Sequence, residues 1–268
     1  MNPAVTGTLA VQLYSVHEAL VADRPATLKR LADLGYRYVE PFALGFWNTP
    51  ADELTSAARA LRDDLDAVGL AVTSVHTSVS AHEQRGLVEM CRILGTDTAF
   101  VPIPFLVEGF EGQRFEDRDA VALFADRLNA AAREVAASGV RLGYHNHHLE
   151  WEQLPDGARA FDVLWERLDP DVLAEVDLYW AAVAGQDPAE VVERLGERAV
   201  AAHVKDGPAR PDTPQTPLGT GDVDYAAALR AGRHLRWHIT EIDDTAGDRF
   251  ELLATNRRTL LDGGLTAA

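Results

Sequence analysis

The regular alternation of two kinds of segment constrains the fold of this chain more than any other feature of its sequence. Short runs rich in Val, Leu, Ile and Tyr, typical of buried strands, alternate with longer stretches that have the apolar spacing of amphipathic helices. The strand-like runs lie at 8–15, 36–42, 70–78, 98–104, 140–147, 172–177, 199–206 and 235–243. The helical stretches lie near 25–35, 49–69, 82–94, 116–138, 156–168, 187–197, 223–233 and 247–262. This order predicts a parallel sheet, because helical crossovers join parallel strands.

The number of strand–helix units favours a closed barrel over an open sheet. Eight units within 268 residues fit a (β/α)8 barrel, which typically needs about 250 residues. An open dinucleotide-binding sheet would carry a glycine-rich phosphate turn, but the sequence contains neither a G-x-G-x-x-G turn after the first strand nor a Walker A motif. No linker divides the chain into two halves. The sequence therefore predicts one α/β domain over residues 1–268, folded as a (β/α)8 TIM barrel.

The composition of the chain disfavours several classes of partner. The formal net charge is −17, from 42 acidic and 25 basic residues, so that a phosphate backbone would be repelled. The single cysteine, Cys91, excludes an intrachain disulfide. No apolar run approaches about 18 residues, and the first residues lack the pattern of a signal peptide. We therefore expect a cytoplasmic protein that binds neither nucleic acid nor a membrane.

Polar side chains concentrate where the predicted strands end. Four runs of the second half each end in ionisable residues: GYHNHHLE (143–150), LAEVDLYW (173–180), VAAHVKD (200–206) and WHITEID (237–243). In a barrel of this kind, the carboxyl ends of the strands meet at the face that carries the active site. We therefore expect one site built from these ends. The polar residues at the strand ends are Gln12, Tyr14, Glu40, His76, His145, His147, Glu150, Asp177, His203, Lys205, Glu241 and Asp243.

A subset of these residues has the composition of a metal site. Asp177, His203 and Glu241 place two carboxylates and one imidazole on three successive strands. Glu150 or His145, from the preceding strand, would complete a set of four ligands. Such a mixture of oxygen and nitrogen donors suits one divalent ion such as Mn²⁺, Mg²⁺, Co²⁺ or Zn²⁺. A lone histidine in an apolar strand is more often a hydrogen-bonded core residue, so the prediction depends on the set as a whole.

On these residues the chain resembles the xylose-isomerase-like TIM-barrel superfamily of sugar phosphate isomerases and epimerases, in its branch with a YHNH motif. The resemblance extends from VQLYS (11–15) to TEID (240–243), and its most specific parts are YHNHHLEWE (144–152), VDLYWAAVAGQDP (176–188) and HVKDG (203–207). It implies one divalent metal held by Glu, Asp, His and Glu from strands five to eight. It also implies a small sugar or keto-sugar substrate and, often, a homo-oligomer.

Not all of the metal ligands that the resemblance implies match a residue of this chain. Asp177, His203 and Glu241 match the family's ligands, but many members have Glu where this chain has His145. Either His145 replaces that ligand or Glu150 reaches in from the loop, and we favour Glu150, although in related epimerases a Glu in this loop acts on the substrate. Apurinic endonucleases share the barrel but carry a histidine three positions after the sixth-strand Asp. Trp180 occupies that position here, which argues against DNA repair.

These features predict a metal-dependent isomerase or epimerase of sugars or keto-sugars that acts through a metal-bound enediolate. An alternative is a metal-dependent lyase, dehydratase or glycoside-cleaving enzyme that uses the same site, and a further one is a non-catalytic carbohydrate-binding barrel. The expected catalytic residues are Glu150, Glu241, His145, His147 and Lys205. The expected metal ligands are Glu150, Asp177, His203 and Glu241. The expected substrate-binding residues are Glu40, His76, Trp180 and Phe42.

Overall fold

Parallel β-strands form a barrel in the computed structural model, which describes residues 7–110, 112 and 114–268. The strand order is β3-β2-β1-β9-β8-β7-β6-β5-β4, and every pairing within it is parallel. The strands are β1 (Thr8–Gln12), β2 (Tyr38–Glu40), β3 (Ala71–Val72), β4 (Val75–His76), β5 (Thr98–Val101), β6 (Arg141–His145), β7 (Leu173–Asp177), β8 (Ala199–Val204) and β9 (Trp237–Thr240).

The two ends of this order are halves of one barrel strand. β3 pairs with β2, and β4 pairs with β5, with only Thr73 and Ser74 between them. The amide of His76 donates to the carbonyl oxygen of Pro41, just after β2, at 2.9 Å. The sheet therefore closes on itself, and the prediction of a (β/α)8 TIM barrel is confirmed.

Ten α-helices surround the strands in the described part of the chain. They are α1 (His17–Ala22), α2 (Arg24–Asp33), α3 (Ala51–Val68), α4 (Arg85–Leu94), α5 (Arg118–Ala136), α6 (Ala160–Arg167), α7 (Leu178–Val183), α8 (Pro188–Leu195), α9 (Tyr225–Ala231) and α10 (Arg249–Asp262). Eight of them lie within the predicted helical stretches to within one residue, whereas α1 and α7 were not predicted. None of these helices is long and apolar enough to cross a membrane.

The two unpredicted helices have only six residues each; α7 directly follows β7, and α1 follows a 3-10 helix, Leu13–Val16, that comes after β1. Such short helices show too few turns for an apolar period to be recognised. The local chemistry nevertheless favours α7, because the Asp177 carboxylate accepts a hydrogen bond from the amide of Trp180 at 2.9 Å. This is an N-cap, and it ties the start of α7 to the end of β7.

The interior of the barrel is apolar below the strand ends. Buried side chains that share the inward face of the strands fill it, and they include Ala10, Phe100, Leu173, Ala201 and Ile239. A glycine, Gly143, faces the Phe100 ring from β6. A Cβ atom at Gly143 would lie 2.6 Å from that ring and 2.6 Å from the carbonyl oxygen of Leu173. The inward space between β5, β6 and β7 therefore admits no side chain at this position.

This contact predicts the effect of a single methyl group on stability. Gly143→Ala should lower the free energy of unfolding by about 2 kcal/mol or more, because a filled interior must distort to accept the added atom. Urea unfolding followed by circular dichroism measures the change. Gly247→Ala is the matched control, since its Cβ would meet only the Thr245 hydroxyl at 4.0 Å. Equal stability of the two variants would contradict this account of the packing.

Candidate active site

Buried polar side chains converge at the carboxyl ends of the barrel strands. Their charges lie in the interior rather than in water, because each of them is less than a tenth exposed. Burial of so many ionisable groups is tolerated only when they are paired. The members are Gln12, Glu40, His76, His145, Glu175, Asp177, His203, Lys205 and Glu241.

One carboxylate lies between three imidazoles. Glu175 Oε2 is 2.6 Å from His76 Nε2, 3.1 Å from His145 Nδ1 and 3.3 Å from His203 Nε2. Burial alone would raise the pKa of Glu175, but the charges of His203 and His76 hold it well below its usual range. Glu175 is therefore ionised and is the shared partner of the histidines.

Sequence reasoning missed Glu175. It lies inside the apolar run of β7, and only the end of that run was considered as a source of site residues. Because residues two apart on a strand share a face, Glu175 points into the barrel together with Asp177. A glutamate inside an otherwise apolar strand, two positions before a predicted ligand, was the signal that could have identified it.

His203 connects two further carboxylates. Its Nδ1 lies 2.8 Å from Glu241 Oε2, and its Nε2 lies 2.8 Å from Glu40 Oε2. Burial would lower the pKa of His203, but the charges of Glu175 and Glu241 raise it well above its usual value. Both ring nitrogens therefore donate in this structure, and one of them must give up its proton before His203 can bind a metal ion. Glu40 also accepts hydrogen bonds from Gln12 Nε2, at 2.8 Å, and from the Ser74 hydroxyl.

Lys205 is surrounded by carboxylates. Its Nζ lies 2.8 Å from Asp177 Oδ2 and 2.7 Å from Asp243 Oδ2, and it also donates to Glu241 Oε2. Burial would lower the pKa of Lys205, but Asp177 and Asp243 raise it well above its usual value. The ammonium group is therefore charged, and its three neighbours neutralise it. Sequence analysis had assigned Lys205 to catalysis, and the structure places it among the acidic groups of the site.

Two sets of side chains have ligand atoms close enough to hold one metal ion. All donor atoms within a set lie within 4.8 Å of one another. One set contains His145, Asp177, His203 and Glu241, and the other contains His76, His145, Glu175 and His203. Three of the four ligands expected from sequence, Asp177, His203 and Glu241, are thus together in the first set.

The donors of these sets suit a divalent cation. Burial, with a smaller effect of the His203 charge, lowers the pKa of His145 to about 3, so its ring is neutral as a metal ligand must be. Glu175 Oε1 is buried without a hydrogen-bond partner among the described residues. Asp177 Oδ2 lies close to Lys205 Nζ without forming a hydrogen bond. The Glu175 oxygen, and the Asp177 oxygen once it exchanges its ion pair with Lys205 for a metal ion, lie beside a neutral imidazole and fit a cation that prefers mixed oxygen and nitrogen donors.

Glu150 lies apart from both sets. Its Oε1 accepts a hydrogen bond from the Tyr144 hydroxyl, and its Oε2 accepts one from the amide of His147 at 2.9 Å. The Tyr144 ring packs edge-on against Phe124 of α5, on the outer side of the barrel wall. Burial raises the pKa of Glu150 to about 7. The geometry therefore favours His145, the alternative from the same segment, as the contribution of β6 to the cluster.

A cavity of about 460 Å³ opens above the cluster. His76, His145, His147, Glu241 and Asp243 supply most of its polar lining, and its other side is mainly apolar. The substrate-binding residues expected from sequence divide into two groups. Phe42, His76 and Trp180 line the cavity, whereas Glu40 is completely buried beneath it.

The family of the chain follows from comparison with known sequences. Residues 28–242 match the sequence model of the xylose isomerase-like TIM barrel family, and the chain belongs to this family. The match covers most of the barrel, including β2 to β9. No curated protein matches the chain significantly.

Solved structures with the same fold have low sequence identity to this chain. A sugar phosphate isomerase/epimerase from Parabacteroides distasonis is 22% identical, with a TM-score of 0.76 over 97% of this chain and 96% of the other. A probable 3-DHS dehydratase from Bacillus anthracis is 15% identical, with a TM-score of 0.68 over 95% and 98%. An L-ribulose 3-epimerase is 17% identical, with a TM-score of 0.65 over 97% and 94%. At these identities the likeness establishes the fold alone.

The position of Glu175 leads to a prediction about stability. Glu175→Ala should lower the free energy of unfolding of the metal-free protein by about 3 kcal/mol or more, because buried imidazoles lose their shared carboxylate. Chemical denaturation at pH 7 measures this change. Asp33→Ala is the control, since Asp33 forms an exposed ion pair with Lys29 and should change stability by less than about 0.5 kcal/mol. A Glu175→Ala variant as stable as the control would show that the imidazoles do not depend on this carboxylate.

Proposed function

We propose that this protein is a divalent-metal-dependent isomerase or epimerase that acts on sugars or keto-sugars. The observation that carries the proposal is the cluster of His145, Asp177, His203 and Glu241 at the floor of an open cavity. Its position at the carboxyl ends of the strands is that of active sites in TIM barrels. The L-ribulose 3-epimerase and the sugar phosphate isomerase/epimerase with this fold support the choice of reaction.

His145, Asp177, His203 and Glu241 would hold the ion, for which Mn²⁺, Mg²⁺, Co²⁺ and Zn²⁺ are the candidates. When bound, such an ion polarises a carbonyl oxygen and makes the neighbouring C–H bond more acidic. His145 would supply a neutral nitrogen, and Asp177 would supply the oxygen that is paired with Lys205 at 2.8 Å in this structure. The Asp177 and Glu241 carboxylates would supply the negative charge that balances the ion once it replaces their contacts with Lys205.

Proton transfer requires groups that face the cavity. His147 lines it two residues after the end of β6. Burial, together with the charges of His145 and Lys205, lowers the pKa of His147 well below its usual value. Its ring is therefore neutral and can accept a proton from carbon.

Glu241 lines the same cavity from the end of β9. Its Oε2 accepts hydrogen bonds from His203 and Lys205, and no hydrogen bond in the described part of the chain reaches its Oε1. One oxygen is thus held in place and the other is available. His147 and Glu241 come from different sides of the barrel mouth, as two groups that exchange protons with opposite faces of one carbon must.

Glu150 and Lys205, which the sequence also predicts to be catalytic, act through His147 and Glu241. Glu150 accepts the hydrogen bond of the His147 amide and so fixes where that imidazole lies. Lys205 holds the carboxylates of Asp177, Glu241 and Asp243 together against their mutual repulsion. We therefore assign positioning roles to Glu150 and Lys205.

A second candidate reaction is the cleavage of a bond one carbon further from the carbonyl. Removal of the proton from the carbon next to the carbonyl can be followed by loss of a substituent from the next carbon, which is an elimination. The apolar side of the cavity offers room for the departing group. The probable dehydratase with this fold is a precedent for elimination on such a barrel.

Metal binding tests the ligand assignment. After removal of metal with a chelator, the wild-type protein should bind one equivalent of Mn²⁺ by calorimetry. His145→Ala and Asp177→Ala should weaken binding by about 100-fold or more, because each removes a ligand. Glu150→Gln, the control from the same segment, should stay within about threefold of the wild type. Loss of binding in Glu150→Gln with retention in His145→Ala would reverse the assignment.

Solvent deuterium exchange tests the reaction. The metal-loaded protein, incubated in D₂O with keto-sugars such as L-ribulose and D-tagatose, should place deuterium on the carbon beside the carbonyl, detected by NMR. His147→Ala should slow exchange by about 100-fold or more while it retains Mn²⁺. Release of a fragment would favour the lyase, and no exchange with any keto-sugar of a broad panel would contradict both reactions.

A further inference from the structure

The cavity above the metal-ligand cluster has no lysine or arginine among the described residues that line it, and the charge of His76 is already paired with Glu175 at 2.6 Å and Glu40 at 3.3 Å. Among the described residues that line it, the imidazole and carboxylate side chains are those of His76, His145, His147, Glu241 and Asp243. The Lys205 ammonium lies 5.8 Å from the ring of Trp180 in the cavity wall, but three carboxylates already neutralise it. Away from the ion-binding cluster, a phosphate group would therefore meet the Asp243 carboxylate without a lysine or arginine in the cavity to balance its charge.

The loop after β8 contains a second obstacle to phosphate. TIM barrels frequently bind phosphate through backbone amides of the loops after the seventh and eighth barrel strands, which here are β8 and β9. In this chain the Asp206 carboxylate accepts hydrogen bonds from the amides of Gly207 and Gly219 at 2.8 Å, Gly221 at 3.0 Å and Val223 at 3.2 Å. A Cβ atom at Gly221 would overlap that carboxylate. The amides that could bind an external anion are thus occupied by an internal one.

The side of the cavity opposite its polar floor is lined mainly by apolar side chains. Its lining includes Phe42, Phe46, Ile103, Phe105, Leu106 and Trp180. Most of these residues lie in the loops after β2 and β5, away from β9, whose end supplies the carboxylates. The polar floor and the apolar wall belong to one continuous cavity, so one molecule can contact both.

Exposure of aromatic surface supports this division. Within the described part of the chain, four large hydrophobic side chains are clearly exposed, and two of them, Tyr14 and Phe46, line this cavity. Phe46 is 52% exposed. Exposed apolar surface concentrated at a cavity mouth marks a site for an apolar partner.

We infer that the substrate is an uncharged sugar or keto-sugar with an apolar substituent, such as an aryl aglycone, and that it carries no phosphate. The polar part contacts the imidazoles and carboxylates of the floor, and the apolar part lies against Phe46 and Phe105. The sugar portion of this inference depends on the proposed function, whereas the apolar portion and the exclusion of phosphate depend on the cavity itself.

Binding to the Mn²⁺-loaded protein tests the inference without catalysis. Three ligands are compared for each of several sugars, including glucose, galactose and xylose: the free sugar, its phosphate and its phenyl glycoside. Calorimetry or tryptophan fluorescence gives the dissociation constants. At least one phenyl glycoside should bind about tenfold or more tightly than its parent sugar, and no phosphate should bind more tightly than its parent.

Two variants distinguish binding of the phenyl group in the cavity from binding to apolar surface elsewhere on the protein. Phe46→Ala should lower the advantage of the phenyl glycoside by about threefold or more, since it removes part of the apolar wall. Leu123→Ala is the matched control, because Leu123 is 44% exposed on α5 and lies outside this cavity. It should leave the advantage unchanged.

The outcomes also separate this inference from the proposed reaction. A preference for any sugar phosphate, or the lack of a phenyl advantage throughout the panel, would overturn the inference even if deuterium exchange occurs. A phenyl advantage that depends on Phe46, without exchange into any keto-sugar, would support the cavity's specificity and contradict the proposed reaction.

Discussion

The arrangement of the site depends on one buried carboxylate, that of Glu175. His76, His145 and His203 all direct a ring nitrogen at it, and the other nitrogen of His203 is thereby aimed at Glu241. An ionised carboxylate without partners could not remain at this depth. The pairing therefore fixes the imidazoles in place and decides which donors remain available to a cation.

The sequence predicted the barrel well because each strand–helix unit carries its own signals. The apolar runs and the helical spacing agree with one another, and in the structure Gly69 and Gly95 end α3 and α4 in the left-handed conformation. The choice between His145 and Glu150 was beyond sequence. A short 3-10 helix, Leu149–Trp151, turns the Glu150 side chain back to Tyr144, and no spacing rule predicts that turn.

Fold and specificity lie on different parts of the molecule. Barrels of 15 to 22% identity superpose on almost the whole chain, although their names include epimerases and a dehydratase. Strand pairing and interior packing account for that likeness, whereas the cavity is lined by side chains of the loops after β2 and β5 and by the titratable groups of its floor. Specificity therefore has to be read from the side chains around the cavity.

The Asp206 carboxylate has a consequence for how the loop at 207–222 behaves. Backbone amides of this loop donate to the Asp206 carboxylate, an anion that belongs to the chain itself. The loop therefore has its shape before any ligand binds. Substrate entry then costs little ordering entropy at this edge of the barrel. In this loop the Asp206 carboxylate takes the place that a phosphate takes in barrels that bind one, so the chain itself supplies the charge that holds the loop together.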